Sequence, residues 1–280
     1  MDTIQSLLAD HQRLKHSDSS RLDCELLLCS VLQKDRAYLY TWPEKNLSAE
    51  QVQCYSTLLS RREKGEPIAY ILGKKEFWSL SLSVNTSTLI PRPETELLVE
   101  TALALMDSKK DDVISIADLG TGTGAIGLAL ASERPSWKIT GLENNVEAFA
   151  LAQKNKKQLM LGNIAFYLSD WFSSVPNQRF DVIVSNPPYI DADDHHLGEG
   201  DVRFEPQTAL VADNNGLADL ELIIQLSLNY LLSNAWLLLE HGNQQSKEVG
   251  ELLKKAGFKH VQTKLDLAGQ PRITFGQLSR

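Results

Sequence analysis

Along the first seventy residues, apolar positions recur at helical spacing and nowhere at strand spacing. Ile4, Leu7, Leu8 and Leu14 fall on one face together with His11. Leu22, Leu26, Cys29 and Val31-Leu32 repeat the pattern. Ser20-x-x-Asp23 and Ser48-x-x-Gln51 have the form of capping boxes, in which a hydroxyl and an N3 side chain satisfy orphan backbone N–H groups. Gly65 and Pro67 close a last helix near 48–64, so residues 1–73 are expected to be a small helical bundle. After Gly73 the period changes. Leu80-Ser81-Leu82-Ser83-Val84 alternates strictly, and Glu76-Phe77-Trp78 is the candidate hairpin partner, which makes residues 74–90 a β-hairpin connector with two aromatics to bury. Pro93 then sits at a first helical position, with Glu94 and Glu96 in the positive first turn of a helix running to about Met106.

From Val113 the pattern becomes an alternation. Candidate strands are 113–119, 138–143, 164–169, 180–185, 235–240, 258–265 and 271–277, with amphipathic helices near 124–133, 146–160, 217–232 and 245–256. Such alternation predicts an α/β domain over residues 91–280: a mostly parallel sheet with helices on both faces. The last two strands are joined only by Asp266 to Gln270, too short for a parallel crossover, so they are expected to pair antiparallel. Seven strands ending in an antiparallel hairpin fit the class I methyltransferase sheet better than a dinucleotide fold.

Composition narrows the function classes. With 42% hydrophobic and 23% charged residues the chain reads as an ordinary globular protein. The 28 Lys+Arg against 36 Asp+Glu leave a net charge of −8, which weighs against a nucleic-acid or anionic-membrane surface. Cys24, Cys29 and Cys54 form no C-x-x-C pair, so neither a disulfide framework nor a cysteine zinc site is expected. No signal peptide is read at Met1 to Gln5, and Leu231 to Leu239 is too short an apolar stretch to span a bilayer; the expectation is a cytoplasmic protein, with nothing requiring more than a monomer.

Four polar motifs follow four successive candidate strands. Asp118-Leu119-Gly120-Thr121-Gly122-Thr123-Gly124 allows a sharp turn and a ligand lying against bare backbone, although Gly122-x-Gly124-x-x-Gly127 equally satisfies the dinucleotide fingerprint. Glu143 can accept both hydroxyls of a ribose, whether of NAD or of S-adenosylmethionine (AdoMet). Ser169-Asp170-Trp171-Phe172 offers an acceptor for an adenine amino group and an aromatic cover, or simply core aromatics. Asn186-Pro187-Pro188-Tyr189 is the most specific, expected by chance in roughly one chain per thousand of this size. Its prolines stiffen the chain and donate no N–H, leaving the Asn186 side-chain oxygen and the Pro187 carbonyl as outward acceptors, with Tyr189 as a flat apolar face. That arrangement suits a planar NH₂ group on an sp² carbon. In open α/β sheets ligands bind at the carboxyl ends of the strands, where all four motifs fall.

Other candidates carry less. Asp191, Asp193, Asp194, His195 and His196 invite a metal reading, but they crowd one loop without ligand spacing, and a mobile acidic loop is the expectation. Glu205 supports that loop or meets substrate, and His241 after its strand is read as structural.

On these residues the chain resembles the HemK/PrmC protein-glutamine methyltransferases. The matching segments are Phe77-Trp78, Ile90-Pro91-Arg92-Pro93-Glu94-Thr95-Glu96, Asp118 to Gly124, Ser169 to Phe172, Asn186 to Tyr189, Phe204-Glu205-Pro206 and Leu239-Glu240-His241-Gly242. Glu143 departs from the usual aspartate, and Asn243-Gln244 and Gln270-Pro271 from commoner residues. The resemblance implies methyl transfer from AdoMet, with S-adenosylhomocysteine as product. The acceptor it implies is the glutamine of the Gly-Gly-Gln motif in class I peptide chain release factors, without direct nucleic-acid or membrane contact. Residues 1–75 carry 11 Lys+Arg and 10 Asp+Glu against an acidic remainder, so residues 1–73 are expected to serve substrate recognition. Asn186, Pro187 and Tyr189 become the catalytic candidates, and Asn186 to Tyr189 the substrate pocket. Gly120 to Gly124, Glu143, Asp170, Trp171 and Asn186 become the cofactor contacts. An adenine or cytosine amino-methyltransferase, an NAD-dependent oxidoreductase and a non-catalytic AdoMet-binding scaffold remain open on sequence.

Overall fold

The computed structural model describes residues 2–15 and 17–279, apart from the side chain of His196. The chain divides into two compact units: Met1–Lys74 with His195–Phe204, and Lys75–Asp194 with Glu205–Arg280.

The first unit is helical: α1 (Ile4–Leu8), α2 (Ser20–Leu32), α3 (Arg36–Thr41), α4 (Ala49–Glu63) and α5 (Ile68–Leu72). Ile4, Leu27, Leu28, Tyr55 and Leu59 are its fully buried centre. The Ser48/Gln51 capping box is formed at the start of α4. The one expected at Ser20/Asp23 is not. Ser19 takes the N-cap position of α2 but makes no side-chain capping bond; Asp23, nearly buried, accepts from the Ser17 and Ser19 hydroxyls and from Arg62 Nε at 2.7 Å. An acid facing inward seeks a cation rather than a solvent-side backbone N–H. The same guanidinium reaches Asp201 Oδ1 at 3.0 Å, and Arg203 Nη2 donates to the Lys64 carbonyl at 3.2 Å, which is why residues 195–204 pack as part of this unit.

The second unit begins with the hairpin β1 (Lys74–Phe77) and β2 (Leu80–Ser83). Its tip, Trp78-Ser79, has positive φ at both residues (52° and 58°), the conformation that matches the right-handed twist of paired strands. Phe77 and Leu82 are buried in the sheet's core, and Asn155 ties in the hairpin by accepting from the Ser83 N–H at 2.7 Å and donating to its carbonyl at 3.0 Å. After a 3₁₀ turn at Pro93–Thr95 the chain continues as α6 (Glu96–Leu105), β3 (Ser115–Leu119), α7 (Ala125–Glu133), β4 (Lys138–Glu143), α8 (Val146–Leu159), β5 (Ile164–Leu168) and β6 (Phe180–Ser185). A single turn α9 (Asp213–Gly216), then α10 (Ala218–Ser227), β7 (Leu231–Glu240), α11 (Ser246–Lys255), β8 (Phe258–Leu265) and β9 (Pro271–Leu278) complete it. The sheet order is β5-β4-β3-β6-β7-β9-β8, parallel except for β9, which runs antiparallel to β7 and β8. Its seven strands are those expected, except that β7 starts at Leu231, inside the stretch read as helix. Two apolar layers cover its faces: one holds Leu98, Leu128, Trp137 and Val184, the other Leu119, Ile183, Leu220 and Leu237. Each fully buried aliphatic side chain there contributes about 1.5–3 kcal/mol. Because β3 and β6 are neighbours while the chain runs outward from β3 to β5, a crevice opens at their carboxyl ends.

Candidate active site

A cavity of about 270 Å³ occupies that crevice. The Gly-rich turn after β3, Glu143 at the end of β4, Ser169 and Trp171 after β5, and Asn186-Pro187-Pro188 after β6 all line it. So does a wall that strand-end reasoning missed, Ser87 to Leu89, Pro91 and Thr95, although it overlaps the Ile90 to Glu96 motif.

The turn is shaped from below. Asp118 is fully buried, and its Oδ2 accepts the Thr121 hydroxyl and the Gly127 N–H, clamping both ends of the loop. Burial pushes the Asp118 carboxyl up to about 7. Gly122 has φ 56°, which a side chain would strain, and a Cβ there would meet no wall, so the glycine answers to backbone conformation and leaves open space beside it. Gly124, also left-handed, is different: its Cβ would stand 2.9 Å from Leu128 and Phe166. Gly124 is therefore a packing glycine at the start of α7 and does not line the cavity.

Glu143 is nearly buried, and both its oxygens are held: Oε2 by the Gly122 N–H at 2.8 Å, Oε1 by the Asn145 N–H at 3.0 Å. A carboxylate offers about four lone-pair directions, so a bidentate acceptor remains for a pair of cis hydroxyls. Trp171 lines the cavity and packs against the second apolar layer. Asp170, expected beside it, is exposed and outside the cavity lining; it heads the turn, its carbonyl accepting from Ser173.

Asn186 donates from Nδ2 to Thr95 Oγ1 at 3.2 Å, which leaves Oδ1 as an acceptor. Pro187 is buried, Pro188 half-buried, and both line the wall. Tyr189 does not. Its ring packs on the second apolar layer, its hydroxyl donates to Glu240 Oε1 at 3.3 Å, and burial raises the phenol. Tyr189 thus buttresses the motif and supplies no face to the cavity. Glu205, with a fully buried side chain, pairs with Arg92 Nη2 at 2.7 Å and joins the Ile90 to Glu96 and Phe204 to Pro206 segments. His241 is fully buried between Thr274 Oγ1 and the Gly242 carbonyl, both at 2.8 Å, and burial lowers it; its role is structural. Among the described residues no three His, Cys, Asp or Glu side chains converge on a metal position; of the acidic-loop candidates, the His196 side chain lies outside the described residues.

The anchored acceptor pair of Glu143, the bare backbone at Gly122 and the aromatic wall of Trp171 fit the ribose and adenine of AdoMet. Sheet and site together define a class I AdoMet-dependent methyltransferase. Residues 8–73 match the PrmC N-terminal domain and residues 94–201 the methyltransferase small domain. A release factor glutamine methyltransferase from Pseudomonas aeruginosa is 52% identical over 277 residues, covering 99% of each chain. One from Aliivibrio fischeri is 50% identical over 276 residues, 98% of this chain and 94% of its own. The chain belongs to the release factor glutamine methyltransferase family. A crystal structure of a methyltransferase from Pyrococcus furiosus shares the fold, with TM-score 0.54 at 16% identity over 80% of this chain and 100% of that one. Among the described residues no helix is long and apolar enough to cross a membrane.

Proposed function

We propose that this chain methylates the side-chain amide nitrogen of the glutamine in the Gly-Gly-Gln motif of class I peptide chain release factors, in the cytoplasm, using AdoMet. The observation that carries the reading is the fixed polarity of Asn186: with Nδ2 committed to Thr95, Oδ1 is the atom left to accept a substrate N–H. Glu143 holds the ribose, Trp171 covers the adenine, and Gly120 to Thr123 let the amino-acid moiety approach backbone. When bound, AdoMet supplies a methyl carbon on a sulfonium, so its leaving group needs no proton. An amide nitrogen is a weak nucleophile because its lone pair is delocalised into the carbonyl. Asn186 Oδ1 and the Pro187 carbonyl, each accepting one N–H, hold the amide in one orientation and favour its pyramidalisation. Positioning and fixed dipoles therefore supply the rate. The surplus proton leaves to solvent after transfer, and no side chain is assigned as general base.

Residues 1–73 carry 9 Lys+Arg against 10 Asp+Glu, a net of −1, whereas the whole chain is at −8, so the acidity lies in the remainder. We assign the near-neutral helical unit to holding the protein substrate. Transfer of tritiated methyl to separate release-factor, tRNA and DNA pools tests the reading. Label in the release factor alone, lost when its motif glutamine is replaced, supports it; label in nucleic acid alone overturns it in favour of an amino-methyltransferase of bases.

A further inference from the structure

Asn186 could present either end of its carboxamide to the cavity, since the two orientations differ by a half-turn and have the same shape. Only one places an acceptor against the substrate N–H. Thr95, 4% exposed and on the cavity wall, contacts Nδ2 through a hydroxyl that has a single proton. If that proton points elsewhere, the oxygen can only accept, and Asn186 must turn its NH₂ inward. Glu240 gives the proton its destination. It sits at the end of β7, 1% exposed; its Oε1 accepts from the Tyr189 hydroxyl at 3.3 Å, while its buried Oε2 has no hydrogen-bond partner among the described residues and the nearby Thr95 hydroxyl favours its charged form. An ionised carboxylate accepts only, so toward it both hydroxyls can act only as donors.

We propose that Thr95 and Glu240 are positioning residues that set the polarity of Asn186, with proton direction running from the Asn186 amide to Thr95 and from Thr95 to the Glu240 carboxylate. This rests on the methyl-transfer reading above, in which Thr95 serves only as the contact of Asn186 Nδ2 and Glu240 has no part. It also gives a use to a buried acid that touches no substrate. The proposal makes the ionisation of Glu240 matter. A protonated Glu240 can donate to Thr95, Thr95 can then donate to Asn186 Oδ1, and the carboxamide turns its NH₂ toward the substrate NH₂, where nothing accepts. The charged and titratable groups that act on Glu240 are Tyr189, which donates to it, Arg272, which favours its charged form, and Glu94, which opposes it. Burial outweighs them and pushes the carboxyl up to about 7.

The test uses the full chain, a release factor as substrate, and AdoMet binding measured separately by calorimetry. Thr95→Val keeps the shape and removes the hydroxyl. Its kcat is expected to fall about tenfold or more, with AdoMet affinity within about threefold of the parent, and Thr95→Ser is expected to restore most of the rate. The parent's kcat is expected to lose activity on the acid side with an apparent pKa near 7. Glu240→Gln, whose NH₂ can donate to Thr95, is expected to be slow at every pH and to lack that limb. If Thr95→Val or Glu240→Gln is poorly folded by thermal melting, the Thr95→Ser rate and the parent's own profile still decide. Parental kcat in Thr95→Val overturns the proposal, as does a Thr95→Ser variant no faster than Thr95→Val, or a parent kcat that is flat between about pH 6 and 8. A parent that does not methylate release factor at all fails the methyl-transfer reading instead, which keeps the two failures apart.

Discussion

Replacing Glu143 by Gln separates what this residue does for the cofactor from what it does for the loop. Both carboxylate oxygens accept backbone N–H groups, from Gly122 at 2.8 Å and Asn145 at 3.0 Å. An amide has one oxygen, so one of these N–H groups must face an NH₂ even before any ligand arrives. An orphaned N–H in a nearly buried position costs about 1–3 kcal/mol of stability, seen as a fall of about 2–4 °C in Tm per kcal/mol in a domain of this size. The binding loss is a separate quantity. Two ribose hydroxyls that shared a charged acceptor are left with at most one neutral one, and a lost charge-assisted hydrogen bond is worth about 1.5–3 kcal/mol. AdoMet should therefore bind about 10- to 150-fold more weakly. Calorimetric titration of AdoMet into parent and variant gives the second figure, and thermal melting without ligand gives the first. A Kd within about threefold of the parent would refute the ribose assignment, however the melting temperature moves. A large loss of affinity with an unchanged melting temperature would refute the loop-anchoring half alone.

Three further outcomes are expected. Asn186→Ala should lower kcat by about 10²–10³ while leaving the far-ultraviolet spectrum and melting temperature unchanged, because it removes an acceptor used by the reacting amide; turnover near the parent's would contradict the pocket. Arg62→Met leaves Asp23, 3% exposed, with hydroxyl partners but no cation, and urea denaturation should show a loss of about 3 kcal/mol, a change under about 1 kcal/mol disproving the pairing's importance. Asp118 has its carboxyl raised from 3.8 unfolded to about 7 folded, so folding binds a proton in that window and this group's contribution to stability falls as pH rises through it. Asp118→Asn keeps an acceptor for Thr121 and Gly127, so its unfolding free energy should exceed the parent's at about pH 8 and show a shallower decline from about pH 5.5; an unaltered pH slope counts against the assignment.

Long periodic segments were legible in the sequence, because burying one face of a helix or both faces of a parallel strand leaves its mark on every residue of the run. The stretch 217–232 was not. Leu231-Leu232 continues a helical apolar pattern, yet α10 stops at Ser227 and β7 takes these residues, pairing Leu231 with Phe180 before the register shifts. A short apolar run carries no period that separates helix from strand. The hairpin's strands could be read, but its turn could not, since Trp78-Ser79 adopts positive φ without the usual Asn-Gly. At the site, Glu143, Trp171 and Asn186 were identifiable because a strand end places a single residue. Tyr189 was misjudged for the opposite reason: three residues past a strand, the direction of a side chain depends on what it packs against, here the second apolar layer and Glu240. The link between Thr95 and Asn186 spans 91 residues and leaves no local trace at all.

The ten residues 195–204 belong to the helical unit although the chain on either side of them belongs to the sheet. The backbone therefore passes between the units three times, at Lys74 to Lys75, Asp194 to His195 and Phe204 to Glu205. The helical unit is consequently no detachable cassette. Cutting at residue 73 would strip Asp201 of Arg62 and Arg203 of the Lys64 carbonyl, loosening chain that begins only a few residues after Asn186-Pro187-Pro188-Tyr189. A truncated enzyme that fails on release factor would thus leave two explanations standing, lost recognition and a slackened active-site loop. A chimera built by exchanging helical units between relatives must carry the 195–204 insert along with its own helices.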